Sequence, residues 1–254
     1  MNEMVIEIVG YDEWRHRFFL QWLNLFRTCF RVPAYSKKAD LVSEKYALHS
    51  ENSRFALLCI GDRLVASYSG ICLKFDSFKL FLSVDTMSNG EVRHSTVLLA
   101  NAFYPFLQDE GIAAVIGYPN DRIIGLREKY LNWTFCGKLC TYLSLPGLDT
   151  FYKKFESSSP VWSLARTKRV WWGESKRFCR LRSGVGVSPG SSILPIVTMS
   201  SVKPGPLYLK IPSFLGFDKR FGYRILISNQ FATDLEDKLR LAAGKMSLEC
   251  IDIP

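Results

Sequence analysis

The chain has 254 residues, 48% of them hydrophobic and 14% aromatic, with a formal net charge of +9 at neutral pH. That length and apolar content bury a substantial core, as one large domain or two small ones, and exclude a disordered or low-complexity chain. The positive balance calls for anionic partners: nucleic acid, acidic lipid, a nucleotide cofactor or a nucleotide-linked substrate.

No apolar run approaches the ~20 residues of a membrane-spanning helix. The start, MNEMVIEIVG, lacks the basic region and long apolar core of a signal peptide, so a cytoplasmic chain is expected, with no membrane insertion. Seven cysteines, an odd number scattered through apolar segments, read as reduced thiols. Cys136 and Cys140 share a strand face by their spacing. No histidine (His16, His49, His94) lies near that pair, so no metal is expected.

Residues 1–9 alternate and predict a short strand. Asp12 is placed to cap a helix over 13–31, with Trp14, Phe18, Trp22, Leu25 and Phe26 on one apolar face and Pro33 as its stop. Residues 31–53 read as a polar connector with a short helix near Leu41–Leu48. A hairpin over 54–75 turns at Gly61-Asp62. The stretch 79–144 organises the rest: a buried strand KLFLSVDTM (79–87), a polar loop SNGEVRHST (88–96), a helix (97–111), a strand IAAVIGY (112–118), a Tyr-Pro-Asn corner, a helix (121–132) and a last strand (133–145). Either Ser95 or Thr96 can cap the helix that follows the loop. A strand that feeds a helix N-terminus through a polar loop is an anion site in outline, since the first N–H groups have no internal partners. Arg93, His94, Ser95 and Thr96 stand there. An ordinary capped turn has the same spacing.

Beyond Pro146-Gly147 the composition changes. Residues 151–184 are dense in Arg, Lys and aromatics, among them Trp162, Trp171, Trp172 and Arg180. Such a stretch stacks bases and holds phosphates, either of single-stranded nucleic acid or of one nucleotide, or else buries its rings beneath a solvated basic helix. No RRM or KH signature accompanies it, so nucleic acid is not the expected partner. Two strands near LYLKIPSFLGF and YRILIS, a helix over 231–244 and a strand SLECIDI complete a smaller C-terminal α+β unit. The expected division is therefore 1–146 and 147–254.

The order hairpin, SVDTM strand, polar loop, helix and GYPN corner resembles the Gcn5-related N-acetyltransferase (GNAT) superfamily over about Arg54 to Leu145, particularly bacterial members with an SVDTM…GYPN pattern. The resemblance implies an α/β (α+β) fold with a mixed, mostly antiparallel sheet flanked by helices. It also implies acyl-coenzyme A as co-substrate. Val84, Asp85, Thr86 and Met87 would then face the pantetheine arm, and Arg93, His94, Ser95, Thr96 and Asn120 the rest of the cofactor. Thr96 and Leu98 stand where the family's phosphate loop has glycines. Arg127 stands where a tyrosine often protonates the leaving thiolate, with Tyr130 one turn on, and Asn132 replaces a usual glycine. Tyr118 or Tyr130 could replace that acid, Tyr118 being the one assigned, with simple packing as the alternative. Asp85 is the first candidate base, with a purely structural carboxylate as its alternative. Lys45-Tyr46 resembles the aromatic substrate-covering segment.

A basic, aromatic second unit suits a large anionic acceptor, and the resemblance implies that this could be a nucleotide-linked amino sugar of the kind used in surface polysaccharides, with Lys45, Tyr46, Trp171, Trp172 and Arg180 contributing. The alternatives are an aminoacyl- or peptide-directed acyltransferase and a non-catalytic binding protein of the same fold. A homodimer is admitted by the sequence, not required.

Overall fold

A computed structural model describes residues 3–30, 46–47, 49–74, 78–119, 121–144, 197–200, 208–210, 219–228, 230–243 and 247–250. The strands β1 (Met4–Gly10), β2 (Ser53–Ile60), β3 (Arg63–Lys74) and β4 (Lys79–Ser88) form an antiparallel series in sequence order. β5 (Ile112–Gly117) then pairs parallel with β4, and β9 (Lys219–Ile225) lies antiparallel on its far side. The fold is thus mixed α/β with a mostly antiparallel sheet flanked by helices, as the sequence predicts.

The parallel step needs a crossover, and helix α2 (Ser95–Asp109) supplies it between β4 and β5. Helix α3 (Asp121–Leu131) follows β5. The hairpin turns at Gly61, whose φ of 55° favours a residue without a Cβ.

Side chains of β3 alternate between two cores. On one face Ser67 and Ser69 meet Trp22 of helix α1 (Phe19–Cys29). On the other, Tyr68 lies edge-on to Phe103 and Tyr104 of α2. This second core gathers Leu58, Phe81, Leu99, Phe103, Val115 and Trp133. Burying each such side chain contributes about 1.5–3 kcal/mol.

The first helical segment differs from its expected form. It begins at Tyr11, with Gly10 at the N-cap position, so Asp12 lies inside the turn and caps nothing. A π-helical stretch, Trp14–Phe18, precedes α1. The wider turn keeps Trp14, Phe18, Trp22, Leu25 and Phe26 all buried. The proposed connector helix lies outside the described residues, apart from helical Tyr46 and Ala47.

Two compact units are present, Met1–Phe135 with Gly222–Leu235, and Cys136–Phe221 with Glu236–Pro254. In the second, β6 (Thr134–Ser144) pairs antiparallel with β7 (Val197–Ser200) and with β8 (Tyr208–Lys210), and β10 (Ser247–Cys250) pairs with β7. Helix α4 (Gln230–Ala243) spans the boundary in sequence. No helix among the described residues is long and apolar enough to cross a membrane.

Candidate active site

The site begins where two strands part. β4 and β5 pair from Lys79–Ile112 to Ser83–Gly117 and no further. β4 continues against β3 as far as Ser88 opposite Ala66. Pro119 lacks the N–H that a longer β5 would need. From Val84 onward β4 is therefore held by strand pairing on its β3 side alone. A strand edge opened inside a sheet can take an extended ligand that carries amides, by completing the ladder.

At the same point β4 is bulged. Ser69 faces Val84 and Ser67 faces Met87, so Tyr68 alone opposes both Asp85 and Thr86. Such a bulge re-aims the side chains beside it. Asp85 takes a left-handed φ of 50°, a conformation that costs a non-glycine residue about 1–2 kcal/mol. The surroundings hold it: the Tyr46 phenol donates to Asp85 Oδ2 at 2.6 Å.

Tyr46 itself is fully buried in a box of rings. Phe55, Trp14 and Trp22 have ring centres 4.8, 5.3 and 5.8 Å from its own. Trp22 Nε1 donates to Ser67 Oγ at 3.0 Å, and the Ser67 and Ser69 hydroxyls are 2.9 Å apart. Burial first, and the Asp85 carboxylate second, push the Tyr46 phenol well above its ordinary value. It remains a hydrogen-bond donor that orients the carboxylate.

On the opposite face the bulge meets Arg127. This guanidinium is only 3% exposed. Its Nη2 donates to Ser83 Oγ at 3.0 Å and to Thr86 Oγ1 at 3.2 Å. Its carbon lies 4.2 Å from the Trp133 ring centre and 5.6 Å from that of Tyr68. A Cβ on Gly117 would come within 3.2 Å of Nη1, so the glycine admits the arginine beside β5. Arg127 Nε has no hydrogen-bond partner, and no carboxylate among the described residues pairs with the group.

The loop between β4 and α2 is tied at Ser88, whose hydroxyl accepts from Gly90 N–H at 3.1 Å and from Ser95 Oγ at 2.7 Å. The sequence allowed Ser95 or Thr96 as the cap, and neither serves. His94 holds the N-cap position in a left-handed conformation, with no side-chain cap bond. Ser95 is occupied by Ser88, and both Ser95 and Thr96 are buried. The first turn carries no acidic residue, so the partial positive charge of the N-terminus is not offset there. Arg93 and His94 are exposed beside it, the Arg93 Nε donating to His94 Nε2 at 3.1 Å.

The structure thus assembles Tyr46, Val84, Asp85, Thr86 and Met87 around the bulge, with Arg93 to Thr96 at the helix N-terminus that follows. Met87 is buried, while Val84, Asp85 and Thr86 are half-buried. Tyr118 stands half-buried just beyond β5, its phenol pushed up by burial, so it keeps its proton at neutral pH. Lys45, Asn120, Trp171, Trp172 and Arg180 lie outside the described residues. Sequence reasoning placed Arg127 only as a departure from a pattern. The available signal was its register: Ile124, Arg127 and Leu131 share one buried face of α3. Among the described residues no group of His, Cys, Asp and Glu is arranged to hold a metal.

No family model and no curated protein matches the sequence. Several solved structures resemble the fold. A proposed acetyltransferase from Pyrococcus horikoshii is 10% identical, with 87% of this chain and 89% of that one covered and a TM-score of 0.49. A proposed N-acyltransferase from Enterococcus faecalis is 11% identical, with 97% and 64% covered and a TM-score of 0.47. A proposed GNAT-family acetyltransferase from Desulfovibrio desulfuricans is 9% identical, with 54% and 89% covered and a TM-score of 0.43. At these identities and scores none of the three decides what the cleft does, and its own residues must.

Proposed function

We propose that the chain is an acyl-coenzyme A-dependent N-acyltransferase whose acceptor is the amino group of a nucleotide-linked amino sugar. The observation that carries the first half is the parting of β4 from β5 at Ser83–Gly117, with the Asp85–Thr86 bulge at the fork and an uncapped helix N-terminus one loop away. The opened strand edge suits the amides of a pantetheine arm. The helix N-terminus with Arg93 suits its diphosphate. Acyl transfer then needs the thioester carbonyl polarised and an uncharged amine held at near-attack distance. Asp85, oriented by Tyr46, is the group we assign to take the amine proton, and the Tyr118 phenol on the β5 side is assigned a hydrogen-bonding role in place of the acid.

The anionic character of the acceptor rests on composition, and the amino sugar on the resemblance. A charge of +9 and the aromatic, basic stretch with Trp171, Trp172 and Arg180 suit a ligand carrying both a base and a diphosphate. Lys45 is the further cation assigned to it, and Asn120 is assigned to the cofactor side. A second reading, a binding module of the same fold without catalysis, draws on Thr96 and Leu98 in the places of two glycines.

Thermal unfolding with coenzyme A, acetyl-coenzyme A, dTDP, UDP and a short single-stranded DNA, each added alone, tests this assignment. A ligand that binds only the folded chain raises the midpoint by mass action. A rise with coenzyme A and with one nucleoside diphosphate is expected, and the responsive diphosphate names the nucleotide. No rise with millimolar coenzyme A rejects the enzyme and leaves the binding module.

A further inference from the structure

Two guanidiniums stand in the α2-side core without a carboxylate among the described residues to meet them. Arg127 is buried, bonded only to neutral hydroxyls, and carries an unpartnered Nε. Arg224 of β9 is half-buried, its carbon 4.8 Å from the Tyr104 ring centre and its Nη1 donating to Leu131 O at 2.6 Å. The other titratable groups facing this place are the Tyr68 and Tyr104 phenols, whose oxygens are 3.1 Å apart, and Tyr104 also accepts from Trp133 Nε1 at 2.9 Å. Burial holds Tyr104 in its protonated form. A cation in such a core costs several kcal/mol unless an anion meets it. Two neutral hydroxyls and two ring faces meet the cation only in part, while a methionine of similar bulk would pack on Trp133 without a charge to desolvate. Its Nη2 reaches Ser83 and Thr86, the residues between which β4 parts from β5. An anion bound in that fork would meet the guanidinium where its Nε has no partner.

We propose that Arg127 is the counter-charge for the coenzyme A thiolate released during transfer. The inference rests on the acyl-coenzyme A reading above. The acceptor nitrogen lone pair forms a bond to the thioester carbonyl carbon, the carbon–sulfur bond breaks, and its electron pair leaves on sulfur. The displaced amine proton goes to Asp85 or to water. Arg127 stabilises the thiolate by charge, and the proton that finally neutralises it comes from solvent after release. A guanidinium held in advance by Ser83, Thr86 and Trp133 needs no rearrangement as that charge develops.

The test is an ultraviolet titration of the thiolate of bound coenzyme A, with desulfo-coenzyme A as the blank so that the chain's own cysteines cancel. In the unaltered protein the bound thiol should ionise about tenfold more readily than a free thiol of ordinary acidity, a shift of about one pKa unit. Arg127→Met should abolish the shift while coenzyme A still binds, and Arg127→Lys should keep part of it. The Met variant should unfold at the same temperature as the parent or higher in the absence of ligand, since the desolvation cost of the buried cation is removed. If Arg127→Met fails to fold, the role is structural and the inference falls. Binding of coenzyme A with an unshifted thiol overturns the inference and leaves the acyltransferase standing. No binding of coenzyme A by the unaltered protein overturns both.

Discussion

Asp85 combines three features that rarely coincide by chance: a left-handed backbone, a place in a bulge, and a short bond from a fully buried phenol. Strain of this kind persists only where the surroundings over-determine it. If Asp85 is the base, Asp85→Asn should lower turnover by about 100-fold or more while leaving coenzyme A affinity intact. Steady-state kinetics beside a thermal-shift titration decides this, and near-normal turnover assigns Asp85 a structural role. Tyr46→Phe should cost about 1–3 kcal/mol of stability in chemical denaturation, because it leaves the half-buried carboxylate without that donor. Little of this was legible beforehand. Asp85 could be named from its place at the end of a strand, but the bulge depends on pairing across β3. The partner Tyr46 depends on a chain path that local pattern does not fix.

At the level of elements, pattern reading worked where one periodicity ran unbroken. The hairpin, the central strand, the crossover helix and β5 all lie within two residues of their expected ends at the site. It failed at helix ends, where alternatives differ by little energy. Ser95 is the better cap by residue type, yet its hydroxyl is taken by Ser88 and the helix starts from a left-handed His94. Helix α3 closes in a similar way: Asn132 has φ 50°, and Trp133 N–H returns to Arg127 O at 3.2 Å. This turn fixes the last coil of the helix that carries Arg127. Asn132→Gly should raise the unfolding midpoint slightly. Asn132→Ala should cost about 1 kcal/mol, since a Cβ without the side-chain amide has no compensation in that region. Equal midpoints for the two variants would argue against the left-handed cap.

For the whole molecule, alkaline stability gives a test of the buried thiols. Cys72, on β3 and 8% exposed, has its thiol pushed up to about 11, chiefly by burial. In the unfolded chain the same thiol ionises near 8.5. Between these values the folded chain retains a proton that the unfolded chain has lost, so stability falls as pH rises. The contribution is complete below about pH 8 and lost towards pH 11, on the order of 2–3 kcal/mol. Cys59 and Cys136 shift in the same direction, so the difference between the unaltered chain and Cys72→Ala is the quantity to follow. That difference should shrink by this amount between pH 8 and pH 11 in denaturant titrations, and a constant difference rejects the assignment. The sequence suggested reduced, buried cysteines from their apolar neighbours, but among the described residues Cys59 and Cys72 are buried while Cys29 and Cys136 are only half-buried.

The strand beside β5 has a further consequence, for the order in which the chain can assemble. Ala114 to Gly117 are paired on their outer side by Ile225 to Gly222, residues more than a hundred positions later. Contacts of such long range close slowly, because the intervening chain must give up its freedom before the pairing repays it. During synthesis the first five strands can therefore collapse while β5 is still a bare edge with a run of apolar residues. Until residues 222–225 emerge, that edge is open to another copy of the same strand. The wall of the fork is the last part of its sheet to be sealed, so a nascent chain is most exposed to aggregation at the place where the finished one would work.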